Sequence, residues 1–127
     1  MKYTESQISK ISKDLQNKIK GKVLSDPFSR GRYSTDSSLY QITPLGAVLP
    51  KDQNDVLNLM EYSQKNAIPL LARGGGSSQC GQTVSEAIVL DYSKQQNKVL
   101  ELNVEEKYVW VQPGVVLDSL NKFLQPY

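Results

Sequence analysis

Three short apolar runs, at residues 47–49, 69–72 and 87–91, are separated first by a helical period and then by a glycine-rich loop. The first run stops at Pro50, and Asp52 can cap a helix that continues to about Lys65. Val56, Leu59, Met60, Ser63 and Ala67 fall on one face of that helix. The apolar runs are too short for buried helices, and the first two have proline or glycine at or beside their ends, so all three read as strands. Strand, helix, strand, loop, strand, in that order, implies a small α/β unit with at least one parallel pair. Residues 99–102 and 108–111 read as a β pair, with Gln112, Pro113 and Gly114 as the turn after it. Leu117, Leu120 and Leu124 mark a last helix. The expected fold class is α/β, with α+β as the alternative: about three parallel or mixed strands, a β pair and flanking helices.

Upstream, residues 4–20 read as a helix. Ile8, Ile11, Leu15 and Ile19 form one narrow apolar stripe. Thr4 and Gln7 fit a capping box, and Gly21 is a plausible stop. A stripe this narrow is expected to dock on a partner surface, outside any core. Residues 25–45 carry five serines, two prolines and Gly31, which predicts an ordered loop anchored by Phe28, Tyr33, Leu39, Tyr40 and Ile42. The expected division is an N-terminal helix and linker over 1–32 and a folded unit over 33–127.

Charge and composition narrow the chemistry. Residues 1–32 hold eight Lys/Arg and three Asp/Glu, net +5, whereas residues 33–127 hold seven and ten, net −3. This bias reads as the wet face of an amphipathic helix in preference to a nucleic-acid surface, so no nucleic-acid partner is expected. No apolar run reaches the length that crosses a membrane, and the N-terminus has no apolar signal core. Cytoplasmic localisation is the default, with peripheral membrane association left open. The single cysteine, Cys80, excludes an internal disulfide and a self-contained cysteine-ligated metal site. With no histidine in the chain, Ser-His-Asp and Cys-His catalysis and imidazole metal sites are excluded as well.

The loop after the second strand runs Arg73, Gly74, Gly75, Gly76, Ser77, Ser78, Gln79, Cys80, Gly81, Gln82, Thr83. Successive glycines allow positive φ and leave amides unobstructed, so that several can point at one anion. Ser77 and Ser78 add hydroxyls, and Arg73 adds a charge suited to phosphate. The alternative is a tight loop whose glycines only let backbones pack closely, and the residues by themselves leave both readings open. Two nucleotide motifs fail. Gly76 and Gly81 have P-loop spacing, but Gln82 stands where that motif needs Lys. Gly74 and Gly76 would need a third glycine at Gln79 for the dinucleotide pattern.

Arg73 to Ser78, then Gly81 and Gln82, then Val89, Leu90 and Asp91, then Val111 to Gly114, together resemble the FAD-linked oxidases of the vanillyl-alcohol oxidase type. Within these, the chain is most similar to the D-lactate dehydrogenase and glycolate oxidase branch. The segments from Arg32 to Tyr40 with Pro44, and Leu49, Pro50, Lys51, Asp52 and Val56, extend the resemblance, which covers about residues 30–127.

The resemblance implies the first lobe of a two-lobed FAD-binding domain in a flavin-dependent oxidoreductase acting on a 2-hydroxy acid. It implies that Arg73, Gly74, Gly75, Gly76, Ser77, Ser78, Gly81 and Gln82 wrap the FAD pyrophosphate, and that Pro50, Pro113 and Gly114 lie along the cofactor. Covalently flavinylated relatives carry histidine at the position of Ser77, so FAD is expected to be non-covalent. Cys80 is expected to be a small semi-buried thiol and no attachment point, and Tyr33 and Tyr40 are expected to anchor their loop. The second lobe and the substrate domain are expected to lie outside these 127 residues. No catalytic residue is expected in the chain, which by itself should fold without turning over. Self-association is expected through the face left bare or through the striped helix.

Overall fold

The computed structural model describes residues 3–127. Its elements are α1 (Glu5–Gln16), β1 (Lys22–Leu24), α2 (Pro27–Arg32), β2 (Gly46–Leu49), α3 (Gln53–Asn66), β3 (Leu70–Arg73), β4 (Ile88–Asp91), β5 (Val99–Asn103), β6 (Tyr108–Val111) and α4 (Leu117–Leu124). A four-stranded sheet has the order β1-β2-β4-β3, and β5 and β6 form a separate antiparallel pair. β2, β4 and β3 are mutually parallel, and β1 joins β2 antiparallel with Val23 opposite Val48. The α/β expectation holds, with β1 as a fourth strand that was not expected.

β4 lies between two neighbours, and all four of its residues are buried. Side chains alternate across a strand, so Ile88 and Leu90 face a core made with Ile8, Leu15, Ile19, Val48, Leu59, Tyr62 and Ile68. Val89 faces the other way, against Ala47 and Tyr33.

α1 starts where expected: the Gln7 amide donates to Thr4 Oγ1 and the Thr4 amide to Gln7 Oε1 at 2.8 Å. Its stripe does not face a partner. Ile8 and Leu15 are among the most buried side chains, because the helix lies on the sheet and closes the main core. A narrow stripe suffices when a helix covers the end of a core that α3 already shares. Gly21 lies beyond the helix end. Its amide donates to Asp55 Oδ2 at 2.8 Å, and a Cβ there would lie 2.1 Å from the Leu49 carbonyl oxygen. β1 follows at once, so a boundary between residues 32 and 33 separates β1 from its partner β2.

Residues 25–45 are only partly loop. Asp26 caps α2 by accepting from the Ser29 amide at 2.9 Å, with Pro27 at the helix start, where its missing amide costs nothing. Of the expected anchors, only Tyr33 is buried; Phe28, Leu39, Tyr40 and Ile42 are exposed. The anchoring falls instead to buried Arg30, whose Nε donates to the Pro44 carbonyl and whose Nη1 meets Glu5 at 2.8 Å. In α3, Leu59 and Tyr62 are buried and Met60 is exposed, so the inward face is rotated slightly from that expected. Asp52 caps this helix as expected. Among the described residues, no helix is long and apolar enough to cross a membrane.

Candidate functional site

Parallel strands put their carboxyl ends on one edge, where α/β sheets hold ligands. Here the register places Arg73 opposite Asp91 and Val48 opposite Leu90. Pro50, Gly74 and Tyr92, the residues that follow β2, β3 and β4, therefore emerge at the same edge. The Tyr92 amide donates to the Arg73 carbonyl at 3.0 Å.

The turn after β6 reaches this edge too. Gly114 packs so closely on the Tyr92 carbonyl that a Cβ would lie 2.1 Å from its oxygen, and its amide donates to the Gln96 carbonyl at 2.8 Å. Buried Gln96 donates through Nε2 to the Pro50 and Asp52 carbonyls at 3.4 Å. Pro50 and Gly114 are thus brought together through a residue that carries no motif. Pro50 is fully buried, while Pro113 is exposed.

The glycines of the loop divide into two kinds. Gly76 has φ +72° and Gly81 φ +78°, a region that favours glycine. A Cβ on Gly76 would lie 2.2 Å from Arg73 Nη2, and one on Gly81 would lie 2.6 Å from the Tyr40 ring. Gly74 and Gly75 have no positive φ, and nothing lies within 4 Å of where a Cβ would sit. The amides of residues 74–79 donate to no acceptor among the described residues. Gly74, Gly75, Ser77 and Gln79 are exposed. Ser78 bonds Gln82 side chain to side chain, and its Oγ accepts from the Cys80 and Gln82 amides at 3.4 and 3.3 Å. Cys80 is exposed, contrary to the semi-buried thiol expected, because it lies in the loop beyond the end of β3 and outside the core.

Arg73 points back into the protein. Nη1 donates to the Thr83 carbonyl at 3.1 Å and Nη2 to the Thr35 carbonyl at 2.9 Å. Its guanidinium also lies 5.5 Å from the centre of the Tyr33 ring. Tyr33 donates to Asp91 Oδ2 at 2.7 Å, and burial first, then Asp91, push the phenol up to about 12. Asp36 accepts from Thr83 Oγ1 and from the Ser38 amide, both at 2.9 Å; hydrogen bonding from Ser38, then from Thr83, lowers its carboxyl to about 2. Thr35, Asp36, Thr83 and Gln96 are the site residues that motif reading missed. Only Asp36 left a signal, as an Asp two residues before Ser38 in a turn.

A family model described as the FAD binding domain matches residues 44–127. The chain belongs to the FAD binding domain family. The family expected from the loop and its flanking segments is therefore borne out. D-2-hydroxyglutarate dehydrogenase of Pseudomonas putida is 40% identical over 112 residues, covering 86% of this chain and 11% of that protein. The mitochondrial cytochrome D-lactate dehydrogenase of Kluyveromyces lactis is 35% identical over 82 residues, covering 61% of this chain and 14% of that protein. Among solved structures, 4-ethylphenol oxidase from Gulosibacter chungangensis superposes with TM-score 0.78 at 22% identity, covering 98% of this chain and 25% of that one. At that identity the likeness shows the fold alone. The FAD binding domain described here thus spans a small part of the length of the relatives it matches.

Proposed function

We propose that this chain forms the pyrophosphate cradle of an FAD site in a flavin-dependent dehydrogenase of 2-hydroxy acids, of the kind named in its D-2-hydroxyglutarate and D-lactate relatives. The supporting observation is a loop at the carboxyl edge of the parallel strands whose amides at residues 74–79 have no acceptor among the described residues, with Gly74, Gly75, Ser77 and Gln79 exposed. Such a donor row suits an anion. Close packing accounts for Gly76 and Gly81 but not for Gly74 and Gly75, where an added Cβ would meet nothing within 4 Å. This favours the cradle over a loop whose glycines serve packing alone.

In this reading the amides of Gly74, Gly75, Gly76, Ser77 and Ser78 hold the phosphates, and Gly81 and Gln82 close the loop behind them. Pro50, Pro113 and Gly114 border the cofactor along the same edge. FAD, when bound, supplies the hydride-accepting chemistry. The binding is non-covalent, since no histidine is present and Ser77 occupies the loop position discussed above. Further polypeptide that completes the flavin and substrate sites is part of the same proposal.

Gly75→Val tests the reading. A Cβ there meets nothing within 4 Å and the backbone has no positive φ, so the fold should keep its stability, within about 0.5 kcal/mol. The side chain would nevertheless stand over the amide row. FAD titration should show at least about tenfold weaker binding, the scale of one lost charge-assisted hydrogen bond. Equal affinity in the two proteins would remove the loop from the site.

A further inference from the structure

Resting on that reading, we propose that Arg73 is a positioning residue: it shapes the anion-facing arc from inside the loop and does not bind phosphate itself. Each of the two outer nitrogens of the guanidinium already donates to a backbone carbonyl. One holds the Thr83 carbonyl at the far end of the loop, and the other holds the Thr35 carbonyl on the neighbouring segment. One planar fork thus joins three stretches of chain. The Tyr33 ring packs beside it, and Tyr33 is tied in turn to Asp91 at the end of β4.

The remaining side of the guanidinium lies against Gly76. A Cβ there would fall 2.2 Å from Nη2, 2.7 Å from Cζ and 2.8 Å from Nε. Glycine at 76 is thus required twice, by its φ of +72° and by the cation beneath it. A second tie runs parallel to the first: the Ser37 amide donates to the Gly76 carbonyl at 3.2 Å, and Thr83 Oγ1 donates to Asp36. Segment 35–37 therefore acts as a splint for loop 74–83, with Arg73 as its main fastening.

Lysine separates this role from direct phosphate binding. An ammonium keeps the charge, which is enough for a phosphate ligand, but it cannot span two carbonyls in fork geometry. Amide hydrogen exchange and FAD titration of Arg73→Lys, Arg73→Met and Gly76→Ala make the test, with salt varied from about 50 to about 300 mM to screen any phosphate contact. Expected in all three is exchange about tenfold faster at Ser37, Cys80 and Gln82, whose amides are hydrogen-bonded to the loop, with β2 and β4 at wild-type rates. FAD affinity should fall by a similar factor in Arg73→Lys and Arg73→Met, with wild-type salt dependence. A residue needed only for global stability would instead raise exchange in β2 and β4 as well.

The proposal is overturned if Arg73→Lys keeps wild-type exchange and affinity while Arg73→Met loses affinity and salt dependence together. A wild-type chain that binds no FAD would contradict the proposed function. The exchange rates would then still decide the fastening, since faster loop exchange in both Arg73 variants supports it and unchanged exchange overturns it.

Discussion

Asp55 holds more of the backbone than any motif suggests. Its buried carboxylate accepts from the amides of Lys20, Gly21 and Lys51, each at 2.8 Å. It thereby ties the segment before β1 and the segment after β2 to the first turn of α3. Asp55→Asn turns an NH2 group toward backbone donors and should cost about 3 kcal/mol, measured by urea denaturation. Tyr33 gives a pH test. Its folded pKa of about 12 lies above the ordinary phenol value of 10.0, so its contribution is complete below pH 10. That contribution is lost as pH rises from about 10 to about 12. Tyr62 and Tyr92 are also raised, so they act in the same direction. Tyr33→Phe should lower stability at neutral pH by about 1.5–3 kcal/mol. It should also flatten the alkaline fall in the urea midpoint; an unchanged alkaline limb would show that Tyr33 keeps an ordinary pKa.

At the scale of elements, α1 packs as core. Leu15 is 1% exposed and packs with the sheet residues, so Leu15→Ala should cost about 2–5 kcal/mol by urea denaturation. Periodicity located this helix and its cap but could not say what its stripe faces, because that depends on where β1 and β2 bring it. β1 was illegible for a related reason: Lys22, Val23 and Leu24 become a strand only by pairing with β2. α2 carried a readable start in Asp26 and Pro27, but Gly31 and the surrounding serines obscured it. In the site, the glycine run was legible because glycine's conformational freedom is a property of the residue. The bonds of Arg73 were not, since its acceptors are backbone carbonyls, which every residue has. The loop's acid limit follows from Asp36, whose carboxyl is lowered to about 2 from 3.8. Its hold on Thr83 should be complete above about pH 4 and lost as pH falls toward about 2. Protection of the Ser37, Cys80 and Gln82 amides, relative to their intrinsic exchange rates at each pH, should fall across that interval more than it does in Asp36→Asn.

For the whole molecule, the two faces of the fold differ. β2, β4, α1 and α3 supply buried core side chains, whereas α4 buries none, and Leu100, Trp110, Leu117, Phe123 and Tyr127 are exposed on β5, β6, α4 and the residues after it. Exposed apolar patches promote association. With the α1 stripe buried, self-association of this chain is predicted through the α4 side alone. Sizing chromatography should show a concentration-dependent shift that Leu117→Lys reduces and that a lysine at exposed Gln64 leaves unchanged. Elution as a monomer at all concentrations would contradict it. At the carboxyl edge of the parallel strands, backbone amide NMR during titration with FAD gives the sharpest test of the proposed cradle. The largest shifts should fall on the amides of residues 74–79, with smaller ones near Pro50 and Gly114. Shifts confined to other surfaces, with those amides unmoved at saturating FAD, would contradict it.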